Sequence, residues 1–329
     1  MRNKTFETIC GMTQKQLKTY VSEELYKMYD NVYIGDGYVY AQGTFPVLLV
    51  AHLDTVHKEL PNPIMYDMEK DTYYSPKGIG GDDRCGVYMI LDIIRKYDCS
   101  VLFCEDEESG CIGAKKFTQT DLIKQLEFNY AIEFDRRGEN DAVFYDCDNP
   151  EFEEFITKEF FEKAYGSFTD ICKVAPAIGC AAVNLSCGYY GAHTDKEYVV
   201  MSEMERVIVE ACEILERTTT EDKFEYIEAD YSGYGYYGYG WGGYSGSTYG
   251  YSGWSNDSSD SWKGNGYVYY EDDDDDYYYY LIEFYDNGGK SQWFETFAAS
   301  EAEAIGRCLM KYSDITYSQI GDVMRDKIQ

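Results

Sequence analysis

The sequence predicts an α/β fold: three α/β/α layers around a mostly parallel sheet, followed by a low-complexity linker and a small C-terminal α+β domain. Three observations predict it. Up to about residue 217, short apolar runs alternate with longer amphipathic stretches, as expected of a parallel sheet covered by helices on both faces. From 229 to 266 the chain is Gly, Tyr and Ser with almost no aliphatic residue, so this stretch cannot build a packed core. Beyond the acidic run Asp272 to Asp276, apolar patterning returns. The predicted boundaries are 1–220 for the main α/β domain, 221–276 for the linker and 277–329 for a ββα-type domain.

Each element follows from local pattern. TQKQLKTYVSEELYKMY (13–29) spaces Leu, Val, Leu and Met at helical intervals, with charges between them. NVYIGDGYVYAQG reads as a hairpin turning at Gly35-Asp36-Gly37. FPVLLVAH, SVLFCED, NYAIEFD and CAAVNLS read as strands. CGVYMILDIIRKY, SGCIGAKKFTQTDLIKQL, FEEFITKEFFEKAY and MSEMERVIVEACEILERT read as helices between and after them. In the C-terminal part, a hairpin turning at Asn287-Gly288-Gly289 should precede a helix with Ser300 and Glu303 as its capping box.

Bulk charge restricts the partners. A formal net charge of −31 makes a nucleic-acid backbone or an anionic membrane surface an unfavourable partner. No apolar run is long enough to cross a bilayer, and the N-terminus lacks the apolar core of a secretory signal. The eleven cysteines are scattered singly with no C-x-x-C, which suits free buried thiols in a reducing compartment. The cytoplasm is the expected location.

Polar clusters punctuate the predicted strand ends. VLLVAHLDTVH (47–57) ends an apolar run on His52 and Asp54, and GIGGDDRCG (78–86) holds Asp82 and Asp83 between glycines. CEDEESG carries Glu107 and Glu108, EFDRRG carries Asp135, and GAHTDKEYV carries His193. Two of only three histidines therefore fall in the pattern, while His57 reads as an ordinary loop histidine. In parallel α/β sheets, ligands collect beyond the carboxyl ends of the strands. Gathering these acids there without a cation would be opposed by repulsion and desolvation, and two divalent metals would remove that cost.

HLDTV, GIGGDDRCG, EDEESG, EFD and AHTDKEY, in that order, resemble the co-catalytic di-zinc exopeptidases, which include the M20, M28 and M42 peptidases and related amidohydrolases. The resemblance covers roughly residues 5–217. It implies that His52 and Asp135 hold one zinc, Glu108 and His193 the other, and that Asp82 bridges them; manganese or cobalt is an alternative metal. Asp54 would orient His52, and Glu107 would be the general base toward a water shared by the metals. The GxGGDDxxG and EExGxxGA blocks look M20-like, with Arg84 where that pattern often has Lys. The stretch between Asp135 and His193 is too short for the lid domain those enzymes carry. The expected layout is thus a lidless core, with Tyr189 and Tyr190 as candidates for the missing oxyanion donor.

Asp at 135 and the segment GSFTD (166–170) resemble the aminopeptidase branches, which implies an aminopeptidase acting on short peptides. An amidohydrolase or deacylase of N-acyl amino acids remains open. So does a binding or self-assembling protein whose functional part is the 229–266 tract.

Overall fold

The computed structural model describes residues 2–166, 168–229 and 278–298, together with 304, 305, 308, 311, 312, 315 and 319–327. The chain divides into two units, Met1–Ala229 with Asp276–Gln329, and Asp230–Asp275. The Tyr/Gly-rich tract and the Ser300–Glu303 capping box lie outside the described residues.

Helix α1 (Lys4–Cys10) is followed by α2 (Gln14–Leu25), which starts from a capping box between Thr13 and Gln16. Strands β1 (Val32–Gly35) and β2 (Tyr38–Ala41) form the expected hairpin, and β3 (Phe45–His52) follows. After β4 (Met65–Asp67) and β5 (Thr72–Tyr74) come α3 (Gly81–Ile93), β6 (Cys99–Cys104), α4 (Ile112–Thr118) and β7 (Tyr130–Arg136). Then follow β8 (Asp141–Val143), α5 (Pro150–Ile156), β9 (Glu162–Ala164), α6 (Ile171–Ile178) and β10 (Ala182–Ser186). Strands β11 (Tyr189–Tyr190) and β12 (Tyr198–Val200) lead into α7 (Met201–Arg217).

The main sheet has the order β1-β2-β6-β3-β7-β10-β8-β9. Its centre, β6-β3-β7-β10, is parallel, and antiparallel pairings begin at β2 and β8. Alternation within β3 separates two cores. Val47, Leu49 and Ala51 pack with residues of α1, α2, α3 and α7, whereas Leu48 and Val50 pack with residues of α4 and α6. Each fully buried Val or Leu side chain contributes about 1.5–3 kcal/mol, so this strand is anchored on both faces. From β3 the chain passes through α3 to β6 on one side, then through α4 to β7 on the other. The loops after β3, β6 and β7 therefore meet at a switch point, where α/β sheets form clefts.

Some expectations change. FEEFITKEFFEKAY is not one helix: α5 ends at Ile156, and Glu162–Ala164 joins the sheet edge as β9, parallel to β8. Its Phe and Glu residues recur at spacings that fit either structure, and pairing with β8 decides the matter. Residues 221–229, placed in the linker from composition, pack back on the domain: the Phe224 ring lies 5.2 Å from Phe152 and 6.1 Å from Tyr130. A second sheet, β11-β12-β5-β4, and helices α1 and α6 had no clear periodic signal. All eleven cysteines are free. Among the described residues no helix is long and apolar enough to cross a membrane.

In the C-terminal part, β13 (Tyr278–Tyr285) and β14 (Ser291–Ala298) form the expected hairpin, with Gly289 at φ +75° in its turn. A third strand, β15 (Ile320–Lys327), pairs with the other edge of β13. Tyr280, Ile282 and Phe284 form a core with Ala304, Ile305, Cys308 and Ile315.

Helix α3 approaches β7 so closely that a Cβ on Gly86 would lie 2.0 Å from the Phe134 carbonyl oxygen. Gly86→Ala is therefore expected to cost about 1–3 kcal/mol, read as a lowered urea midpoint. An unchanged midpoint would contradict this packing.

Candidate metal centre

Three parallel strands deliver the first groups. Strand β3 ends on fully buried His52, Asp135 lies near the end of β7, and Glu107 and Glu108 follow β6. Asp82 enters at the start of α3, and His193 comes from the loop between β11 and β12. His52 Nε2 lies 3.0 Å from Asp82 Oδ1 and 3.4 Å from Asp135 Oδ1. His193 Nε2 lies 3.2 Å from Asp82 Oδ2 and 3.1 Å from Glu108 Oε1. The two oxygens of Asp82 thus face different histidines.

The donor set fits a pair of divalent ions. Potential ligand atoms of His52, Asp82 and Asp135 lie within 4.8 Å of one another, as do those of Asp82, Glu108 and His193. His52, Glu107 and Glu108 form a further such group. Imidazole nitrogen with carboxylate oxygen is a donor mixture that suits zinc, and also manganese or cobalt. All seven residues singled out in the sequence, Asp54 included, come together.

Asp54 ties two of the loops. One of its oxygens lies 3.2 Å from His52 Nδ1 and accepts the Glu107 N–H at 2.9 Å, while the other accepts the Glu108 N–H at 3.1 Å. Burial raises the Asp54 carboxyl, but His52 and these backbone donors outweigh it and hold the group below its ordinary range. Asp83 accepts the backbone N–H groups of His52 and Gly86 at 3.2 and 2.7 Å. Two residues near the centre, Asp106 and His193, hold positive φ values of +59° and +64°, a strained backbone that the surrounding contacts must maintain.

At Glu107 and Asp135 burial dominates. It pushes Glu107 well above the ordinary range, against the pull of His52 and with Glu108 and Asp135 adding to the rise. Burial also raises Asp135 to about 7, with Asp82 adding and His52 opposing. For His52, burial lowers the imidazole, yet Asp135, Asp54 and Asp82 together raise it well above its ordinary value.

Other residues complete the centre. Asn184 locks Asp135 by accepting its N–H at 2.8 Å and donating to its carbonyl at 2.9 Å, and Thr169 Oγ1 donates to Asp135 Oδ2 at 3.0 Å. A polar residue inside the apolar strand CAAVNLS was the available signal for Asn184. Thr169 lies in GSFTD, whose Ser167 is outside the described residues. Tyr189 OH reaches Asp135 at 3.5 Å, whereas Tyr190 OH is bound to Glu203 at 2.6 Å. Arg84 donates to the carbonyls of Leu53 and Met12, a structural role. His57 is not an ordinary loop histidine, because its Nε2 lies 2.7 Å from buried Glu197. Beside Asp54 and Glu108 opens a cavity of about 640 Å³, lined also by Gln14, His57 and Leu60.

Residues 39–174 match the family model described as Peptidase family M28. Among solved structures, aminopeptidase PepT from Bacillus cereus is similar with a TM-score of 0.54 and 14% identity, over 65% of this chain and 96% of that one. An aminopeptidase from the archaeon Desulfurococcus kamchatkensis gives 0.53 and 14%, over 67% and 95%. A tripeptidase from Staphylococcus aureus gives 0.51 and 13%, over 64% and 96%. No curated protein matches the sequence significantly. The chain thus resembles M28 peptidases over residues 39–174, and its fold is similar to that of the solved aminopeptidases.

Two measurements check the centre's electrostatics and its support. Burial raises Asp170 from 3.8 to about 7, so in metal-free protein the folded state holds a proton that the unfolded chain has released between those values. This group's contribution to stability therefore falls as pH rises through that window. Asp170→Asn should make chelator-treated protein more stable than the parent at pH 8, with the gain shrinking toward pH 4. A variant no more stable at pH 8 would contradict the assignment. Asp54→Ala should weaken zinc binding about 10–100-fold in a chelator competition, and parent-like binding would remove Asp54 from the centre.

Proposed function

We propose that the chain is a di-zinc aminopeptidase that removes residues from short peptides. The division of the Asp82 carboxylate between His52 and His193, with Glu107 buried beside them, is the observation that carries this reading. The similarity of the fold to solved aminopeptidases and the presence of Asp at 135 favour the amino end. His52, Asp82 and Asp135 would hold one zinc, and Asp82, Glu108 and His193 the other. Such a pair, when bound, supplies Lewis acidity that makes water a better nucleophile and a carbonyl a better electrophile.

The remaining steps belong to the chain's own groups. Glu107 accepts the proton of the attacking water and passes it to the departing amine. Its burial suits this work, because a carboxylate whose proton affinity is raised takes a proton more readily than an exposed one and can still return it. Asp54 keeps Nδ1 of His52 occupied, so Nε2 faces Asp82 and Asp135. No lid domain lies between Asp135 and His193, and the Tyr189 hydroxyl is the candidate donor to a developing oxyanion.

Glu107→Ala should retain the parent's metal content while losing about 10²–10⁴-fold in kcat on leucine-p-nitroanilide. Digestion of a short peptide should release residues from its amino end. Parent-like turnover by the variant would sink the mechanism, and cleavage confined to N-acetyl amino acids would reassign the enzyme to deacylation.

A further inference from the structure

Glu197 is 1% exposed and has no role in the chemistry described above. It stands four residues after His193, on the same segment. One carboxylate oxygen accepts the Gly80 N–H at 2.6 Å and lies 2.7 Å from His57 Nε2, and the other accepts the Asp82 N–H at 3.0 Å. The carboxylate therefore holds the backbone of the residue whose side chain is divided between the two histidines. The same two loops are stitched a second time by Gly78 N–H donating to the Asp195 carbonyl at 3.2 Å.

The loop is shaped around His57. Gly78 has φ +83°, and a Cβ there would lie 2.1 Å from His57 Cε1, so any side chain would collide with the imidazole. Gly80 is also left-handed, at φ +69°, which turns its N–H toward Glu197. Glycines, histidine and glutamate thus form one unit. Within it, a buried carboxylate has two charge-assisted backbone bonds and an imidazole partner, a stronger restraint than a neutral side chain would impose.

We propose that Glu197 is a positioning residue of the metal centre: with His57, it fixes the backbone at Asp82 so that the oxygens of that carboxylate stay divided between two ion sites. The segment that brings His193 also sets the group His193 shares with the other site. This rests on the two-ion reading of the centre but concerns binding, and it can be tested without peptide turnover.

The test titrates full-length, chelator-stripped protein with zinc against a chromogenic chelator and compares parent, Glu197→Ala, Glu197→Gln and His57→Ala. The parent should bind two ions. Glu197→Ala should weaken binding about 10–100-fold, as removing a group that orients a ligand does, and should lower kcat at saturating zinc with little change in KM. Glu197→Gln, which keeps one acceptor oxygen, should fall between parent and Ala, and His57→Ala should move the same way by less. A purely structural role would lower the melting temperature of the stripped protein and leave zinc affinity and kcat unchanged; that result overturns the proposal. If Glu197→Ala does not fold, parent-like zinc affinity in both other variants overturns it equally. A parent that binds zinc but cleaves no peptide defeats the functional reading alone, and the variants' affinities still decide the role of Glu197. A parent that binds no zinc defeats both.

Discussion

Asp82, Glu107, Glu108 and Asp135 gather around two imidazoles at one edge of the sheet, and their mutual repulsion is the constraint the rest of the domain must meet. Two like charges 4 Å apart cost about 4 kcal/mol even at an effective dielectric of 20, so the cluster would disperse if its backbone were free to move. It is held by groups that are themselves fixed. Asp54 spans the loops after β3 and β6, Asn184 brackets the backbone of Asp135, and Asp83 binds the N–H groups of His52 and Gly86. Apart from the Asp83–Gly86 bond, each of these contacts links segments distant in sequence. A bound divalent metal would satisfy the same constraint from inside, and the donor set has the composition such a metal needs.

The fold places these groups with few moving parts. Strands β6, β3 and β7 are buried on both faces, so their ends are positioned by two cores instead of by loops alone. Their register sets His52 opposite Cys104, which brings the loop carrying Glu107 alongside the H-x-D segment. The change of direction about β3 then opens a cleft beside Asp54 and Glu108. At the rim of the centre, Asp106 and His193 hold positive φ values.

Much of this was legible in the chain because the physics involved is local. FPVLLVAH is an uninterrupted apolar run that ends on polar residues, and β3 spans those eight residues. What escaped depends on tertiary pairing. Strands of two or three residues, such as β9, β11 and β12, carry too little pattern to be recognised before their partners are known. His57 looked ordinary because its partner, Glu197, is 140 positions away, and Glu197 looked like one acid among sixty Asp and Glu. The packing of Phe224 on Phe152 was equally hidden, since composition alone placed residues 221–229 in the linker.

Crystals of the full chain grown with zinc, measured at the zinc absorption edge, test the central claim most directly. Two anomalous peaks per chain are expected. One should lie within ligand distance of His52 and Asp135 and the other within ligand distance of Glu108 and His193, with one oxygen of Asp82 reaching each. A single peak, or peaks away from Asp82, would contradict it.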